Sequence, residues 1–231
     1  MDIFVDEEPI TIDLVYAQPD HPRNIFKEQI YQDGARLWCE YDLARITIKT
    51  ARILNEKYNW ILELKDCLRT YDAQAAMQKT KIVLDNPDWM EGPYPMLSAP
   101  GARSHPRAMA IDVCLLDHEN NRLDMGTEFD DMSEASHREH SDLPQDVLER
   151  RKILEDAFLT AADFVGKELL PLPNEWWDFR FPASYSEEFV PIHESDLPPQ
   201  MRMVSPDGPA IDDFPAEHFT KLKKDILESL N

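Results

Sequence analysis

Five residues of this chain have types suited to metal-assisted hydrolysis: Arg69, His105, Asp112, Glu175 and Asp178. That chemistry needs about three protein ligands, an open position for water, a general base within reach of the water, and a cation to hold developing negative charge. His105 falls in a loop, and Asp112 follows seven residues later inside an apolar stretch. Glu175 and Asp178 stand three apart in a later segment, and Arg69 closes an earlier apolar stretch. Asp112 is the strongest physical pointer, because a charge inside a strand that is apolar on both faces is costly unless paired or metal-bound. Taken singly, each residue also has an ordinary reading: His105 beside Pro106 as a loop residue, Asp112 as the partner of an arginine, Asp178 as the partner of Arg180. Trp176 and Trp177 read as core aromatics whose indole N–H groups find local acceptors. Glu175 and Asp178 would face opposite sides of an ideal strand, so they converge on one ion only if the chain bends there.

The elements that must position these residues follow from periodicity. Over residues 33–58, Leu37, Tyr41, Ala44, Ile48 and Ala51 recur at helical spacing, which predicts an amphipathic helix. In WILELKDCLR, Leu62, Leu64 and Leu68 alternate with Glu63 and Lys65, which predicts a strand ending near Arg69. Residues 71–84 return to a helical pattern, and a loop rich in Pro and Gly leads into MAIDVCLLD, read as a strand buried on both faces. Residues 143–168 predict another helix, with Pro144 in its first turn and Arg150 and Arg151 on a solvated or salt-bridged face. EWWDFRF reads as extended, since Pro171 and Pro173 disfavour helix before them. A terminal helix from about residue 215 sets Phe219, Leu222, Ile226 and Leu230 on one face.

Length favours one main domain, placed at residues 1–205, with residues 206–231 as a C-terminal extension ending in that helix. The formal charge of -21, from 45 acidic against 24 basic residues, repels phosphate backbones and anionic lipid, which excludes nucleic acid and membrane as partners and suits a small neutral or partly cationic ligand. No apolar run is long enough to span a bilayer and the start shows no leader, so a cytoplasmic location is the expectation. Cys39, Cys67 and Cys114 sit in apolar segments without CxxC spacing and read as reduced core thiols. The remaining histidines, His21, His118, His140, His193 and His218, lie in polar contexts and are read as exposed, and no G-x-S-x-G supports serine catalysis.

The wording of the motifs goes further. SHPRAMAID at 104–112, MGTEFD at 125–130, SH at 136–137 and EWWD at 175–178 stand in the order and near the separations of the zinc-dependent D-alanyl-D-alanine dipeptidase family, which this chain resembles over most of residues 10–182. That family carries S-x-H-x-x-G-x-A-x-D, M-G-x-x-F-D and E-W-W-H. DLVYA at 13–17 and the strand running into Leu68 and Arg69 are similar to its substrate-binding Tyr and its Tyr-Arg-Pro element. The resemblance implies an α+β domain in which helices pack on a largely antiparallel sheet, the fold of the DD-peptidase-like metallopeptidases. It implies His105, Asp112 and Asp178 as metal ligands, Glu175 as the base acting on water, and Arg69 on the oxyanion. It also implies Tyr16, Asp130 and Arg103 around the substrate, with Asp130 suited to its ammonium end, and His137 in a structural hydrogen-bonding role.

Five positions depart from the pattern. Arg103 stands at the motif's first Ser, Ala108 at its Gly, and Leu68 and Thr70 flank Arg69 where Tyr and Pro are usual. Ala108 would be strained by its methyl group if the backbone dihedral there is positive. Asp178 stands for the third-ligand histidine, and two carboxylates in the shell would make bound water less acidic and favour harder ions. On that reading Asp178→His raises zinc-supported hydrolysis. The expected function is metal-dependent hydrolysis of a small dipeptide of the D-Ala-D-Ala type, with one divalent ion, zinc first and manganese or iron(II) next. The alternatives are a metalloenzyme acting on another amino-acid derivative and a non-catalytic relative without the metal. No oligomeric state follows from the sequence.

Overall fold

The computed structural model describes residues 1–91, 95, 97–204 and 216–230. Five strands, β1 (Ile10–Ile12), β2 (Ile61–Asp66), β3 (Ala110–Leu116), β4 (Leu170–Pro171) and β5 (Asp178–Arg180), form one sheet in the order β1-β2-β3-β5-β4. β1 runs parallel to β2 and every other pair is antiparallel. The helices are α1 (Tyr41–Tyr58), α2 (Tyr71–Met77), α3 (Lys81–Asp85), α4 (Gln145–Val165), α5 (Ala183–Ser186) and α6 (Ala216–Glu228). The chain is therefore a single α+β domain with a largely antiparallel sheet, as the family resemblance implied.

α1 and α4 pack on each other and cover one face of the sheet. The ring of Phe179 in β5 stacks on Phe158 of α4 with centroids 3.9 Å apart. Side chains alternate along a strand, so Asp178 and Arg180, on either side of Phe179, project from the opposite face. Asp112 lies directly across from Asp178 and shares that face, while its neighbours Ile111 and Val113 are fully buried. Ile111, Val113 and Leu115 thus feed the core beneath the helices and Asp112 is delivered to the other side.

A bulge sets which acid of β2 joins it. Leu64 pairs with Val113, but the next partner of Asp112 is Asp66, because one extra residue, Lys65, is inserted. Without that insertion Lys65 would stand opposite Asp112. With it, Asp66, Asp112 and Asp178 fall on one line across three strands.

Several elements differ from expectation. The first helix begins at Tyr41 rather than near residue 33, with the Glu40 side chain accepting from the Leu43 N–H at 2.9 Å. The preceding segment is extended because its backbone bonds elsewhere: the Glu40 N–H donates to the Ala108 carbonyl, and the Trp38 carbonyl accepts from the Leu68 N–H. That bond also draws the chain out of β2, which ends at Asp66 and not at Arg69. The expected helix over 71–84 splits into α2 and α3, where Thr80 is extended and its hydroxyl donates to the Met77 carbonyl at 2.7 Å. Pro144 precedes α4 as its N-cap rather than entering its first turn. Arg150 pairs with Asp146 on the surface, but Arg151 is buried and donates to the carbonyls of Met125, Ala135 and His137, holding the 125–137 loop to α4. His21 is not exposed and sits 3.5 Å from an Asp13 oxygen.

The three cysteines are free; Cys67 and Cys114 are buried. α6 packs on α1 and the N-terminal turn: Ile226 and Leu230 are buried, Phe219 stacks on Trp38, and Leu222 stays exposed. The expected division at 205/206 lies outside the described residues. Among the described residues no helix is long and apolar enough to cross a membrane.

Candidate metal centre

His105 opens a single 3-10 turn, His105–Arg107, closed by Ala108 in the left-handed region at φ 55°. The methyl strain expected at that position is therefore present. The turn delivers a buried imidazole whose Nδ1 lies 2.9 Å from the Cys67 carbonyl. A carbonyl can only accept, so Nδ1 carries a proton, and Nε2 is the nitrogen that a cation would take in place of a proton. Nε2 faces two carboxylate oxygens, Asp178 Oδ2 at 3.2 Å and Asp112 Oδ1 at 3.5 Å. Asp112 Oδ1 is buried and has no hydrogen-bond partner among the described residues.

Glu175 reaches the same place because the chain does bend. Asp178 N–H donates to the Glu175 carbonyl and Glu175 N–H to the Leu172 carbonyl, a turn just before β5. Single ligand atoms of Asp112, Glu175 and Asp178 lie within 4.8 Å of one another, as do those of Asp66, His105 and Asp112.

Without an ion the cluster is short of positive charge. Burial pushes the Asp112 carboxyl up to about 7, against the pull of His105. Burial, then the nearby Asp178 charge, pushes Glu175 up to about 7. Burial alone would lower His105, but the Asp112 charge outweighs it and raises the imidazole to about 10. Asp178 is the exception: burial would raise it, but Arg180 and His105 together hold it well below the usual carboxylate range. An orphaned carboxylate oxygen beside an imidazole nitrogen that a cation can strip of its proton is the donor set of a divalent cation site, and one nitrogen with carboxylate oxygens suits zinc, manganese or iron(II). The carbonyl behind His105 is the outer-shell partner such a ligand needs.

Arg69 is fixed beside this cluster. Its Nε donates to Asp66 Oδ2 at 2.8 Å, Nη2 lies 2.7 Å from the same oxygen and 3.5 Å from Asp112 Oδ2, and Nη1 donates to Gln74. Tyr31 donates to the other Asp66 oxygen at 2.7 Å. The Tyr16 ring lies under the Arg69 guanidinium, and the Tyr16 hydroxyl donates to Asp130 Oδ2 at 2.5 Å. Burial pushes Asp130 up to about 7. Tyr16, Arg69, Arg103, His105, Asp112, Asp130 and Glu175 all line one cleft of about 110 Å³, which also takes in His137. Asp178 is not part of its wall, whereas its partner Arg180 is.

Residues 4–195 match the D-ala-D-ala dipeptidase family of peptidases. The chain belongs to that family. It is 31% identical over 188 residues to the D-alanyl-D-alanine dipeptidase of Escherichia coli (strain K12), a span covering 80% of this chain and 86% of the relative. As a member of the D-Ala-D-Ala dipeptidase family it is a hydrolase of the peptidase class, and its mixed α+β domain agrees with that.

Sequence patterning did not single out Asp66, Tyr31 or Gln74, which orient Arg69. The signal for Asp66 was available: a carboxylate in a buried strand carries the same cost that drew attention to Asp112. Of the two expected core tryptophans, Trp176 donates to Thr127 at 2.8 Å, whereas the buried Trp177 Nε1 has no acceptor among the described residues.

Proposed function

We propose that the protein hydrolyses a small dipeptide of the D-Ala-D-Ala type, with one divalent ion held by His105, Asp112 and Asp178. The observation that carries the reading is the convergence of His105 Nε2 with Asp178 Oδ2 and the unpartnered Asp112 Oδ1. When bound, the ion supplies Lewis acidity, polarising the peptide carbonyl and making water a nucleophile near neutral pH.

The chain's own residues supply the rest. Glu175 is half-buried at the cleft, and its carboxyl, raised to about 7, is poised to take a proton from water and return it to the leaving amine. Arg69, held by Asp66 and Gln74, presents a preorganised cation to the oxygen on which negative charge develops. Asp130 offers its carboxylate to the substrate ammonium, with Tyr16 fixing its orientation. Arg103 also lines the cleft and adds a cation to it. The acidic surface repels anionic competitors and tolerates a zwitterionic dipeptide.

The test is elemental analysis of full-length protein purified without chelators, followed by D-alanine release from D-Ala-D-Ala. One equivalent of metal is expected, with release abolished by chelation and restored by zinc. Absence of stoichiometric metal, or a metal-loaded protein inert toward D-Ala-D-Ala, overturns the reading. A carboxylate-rich shell favours a second form of it, with manganese or iron(II) as the working ion, and restoring the chelated protein with each ion in turn separates the two.

A further inference from the structure

Asp178 and Arg180 occupy the same face of β5, two residues apart, and both are buried. Arg180 Nε donates to Asp178 Oδ1 at 2.7 Å and Arg180 Nη2 donates to Oδ2, so the guanidinium grips both oxygens in a fork. Among the described residues this is the only ion pair of Arg180. The fork uses one lone pair of each oxygen, and a carboxylate oxygen has two. Oδ2, so gripped, still faces His105 Nε2 at 3.2 Å.

From this geometry we infer that Asp178 and Arg180 act together as one electrically neutral ligand unit, with Arg180 the positioning residue that restores the charge of a two-histidine shell. The inference rests on the proposed ion site. A shell of His105, Asp112 and Asp178 alone carries a formal charge of about -2, whereas a shell of two histidines and one aspartate carries about -1. Adding the permanent charge of Arg180 returns the first to the second. The cation lies where it must for this, in contact with the carboxylate it offsets and at the cleft wall. The loss of Lewis acidity that two carboxylates imply is thereby cancelled inside the protein, and zinc regains its place over the harder ions.

The consequence reverses what residue 178 alone suggests. In Asp178→His, Arg180 loses its partner and becomes an unpaired buried cation beside a dication, so zinc binding weakens. In Asp178→His with Arg180→Gln, the repulsion is gone and the shell is neutral at that position, so binding returns. Zinc affinity of the full chain, measured by competition with a chromophoric chelator, tests this, with circular dichroism melts of the chelated proteins checking the fold. Asp178→His is expected to bind at least tenfold more weakly than the wild type, and the double variant within about threefold of it. Wild-type zinc binding matched by Asp178→His, or a double variant no tighter than the single, overturns the neutral-unit inference alone; a wild type that binds no zinc overturns the ion site with it.

Should Asp178→His fail to fold, Arg180 variants carry the test. Arg180→Gln leaves two uncompensated carboxylates and should move the acid limb of the kcat/KM profile up by about one pH unit, while Arg180→Lys, which keeps the charge, should leave it near the wild-type position. An unmoved limb in Arg180→Gln counts against the inference.

Discussion

Ala108 shows what one side chain does to the site's local backbone. It ends the turn that presents His105, it lies at φ 55°, and only glycine adopts that region without cost. The left-handed conformation costs an L-residue about 1–2 kcal/mol, against about 0.4–1 kcal/mol for the extra freedom of glycine in the unfolded chain. Ala108→Gly is therefore expected to stabilise the protein by about 0.5–1 kcal/mol, raising Tm by about 1–3 °C. A lower Tm in a thermal melt would show that the methyl group's packing outweighs its strain. At this scale the sequence was informative wherever a residue's chemistry contradicted its surroundings. Asp112 in an apolar strand announced itself, and His105, Asp130 and Tyr16 came with short motifs. Arg180 was visible only as a rival partner for Asp178, because nothing in a linear reading shows that one carboxylate can serve an arginine and face an imidazole at once.

Elements were legible in proportion to how far local pattern governs them. The strand over 109–117 and the helix over 143–168 were readable because their apolar periods match the core they meet. The start of α1 was not, since residues 36–40 are held extended by bonds to Ala108 and Leu68, remote in sequence. β2 misled differently. Glu63 and Lys65 look like a solvated face, yet Lys65 is fully buried, reaching Asp13 Oδ2 at 2.5 Å and Glu63 Oε2 at 2.7 Å, with Arg122 beyond. Lys65→Met would strand these carboxylates and is expected to cost about 3 kcal/mol at pH 7. Burial would raise Asp13, but Lys65 and its neighbours hold it below 3.8, its ordinary value. A depressed carboxyl stabilises the fold above its unfolded value and loses that contribution as pH falls through its folded value. The gap in unfolding free energy between wild type and Lys65→Met should therefore narrow below about pH 4. Denaturant titrations at neutral and acid pH check this, and a gap constant with pH would show that Lys65 acts through packing rather than charge.

For the whole molecule the governing quantity is the charge of -21. Excess like charge destabilises a compact state by self-repulsion, and added salt shortens the reach of that repulsion from about 10 Å at 0.1 M to about 3 Å at 1 M. Tm is expected to rise by a few degrees between about 0.05 and about 0.5 M NaCl, and a flat or falling Tm in the same scan would assign the balance to the ion pairs that salt also weakens. The fold class could be read at this scale because the family resemblance, carried by motifs spread over most of residues 10–182, implies helices on a largely antiparallel sheet. The bulge in β2 could not, because register is decided between strands and not along one. The His105 ring is aimed by the Cys67 main-chain carbonyl, not by a side chain. Every residue type provides that oxygen, so drift at position 67 leaves the tautomer intact as long as the chain keeps its path. That part of the centre is inherited through topology and lies beyond the reach of most point mutations.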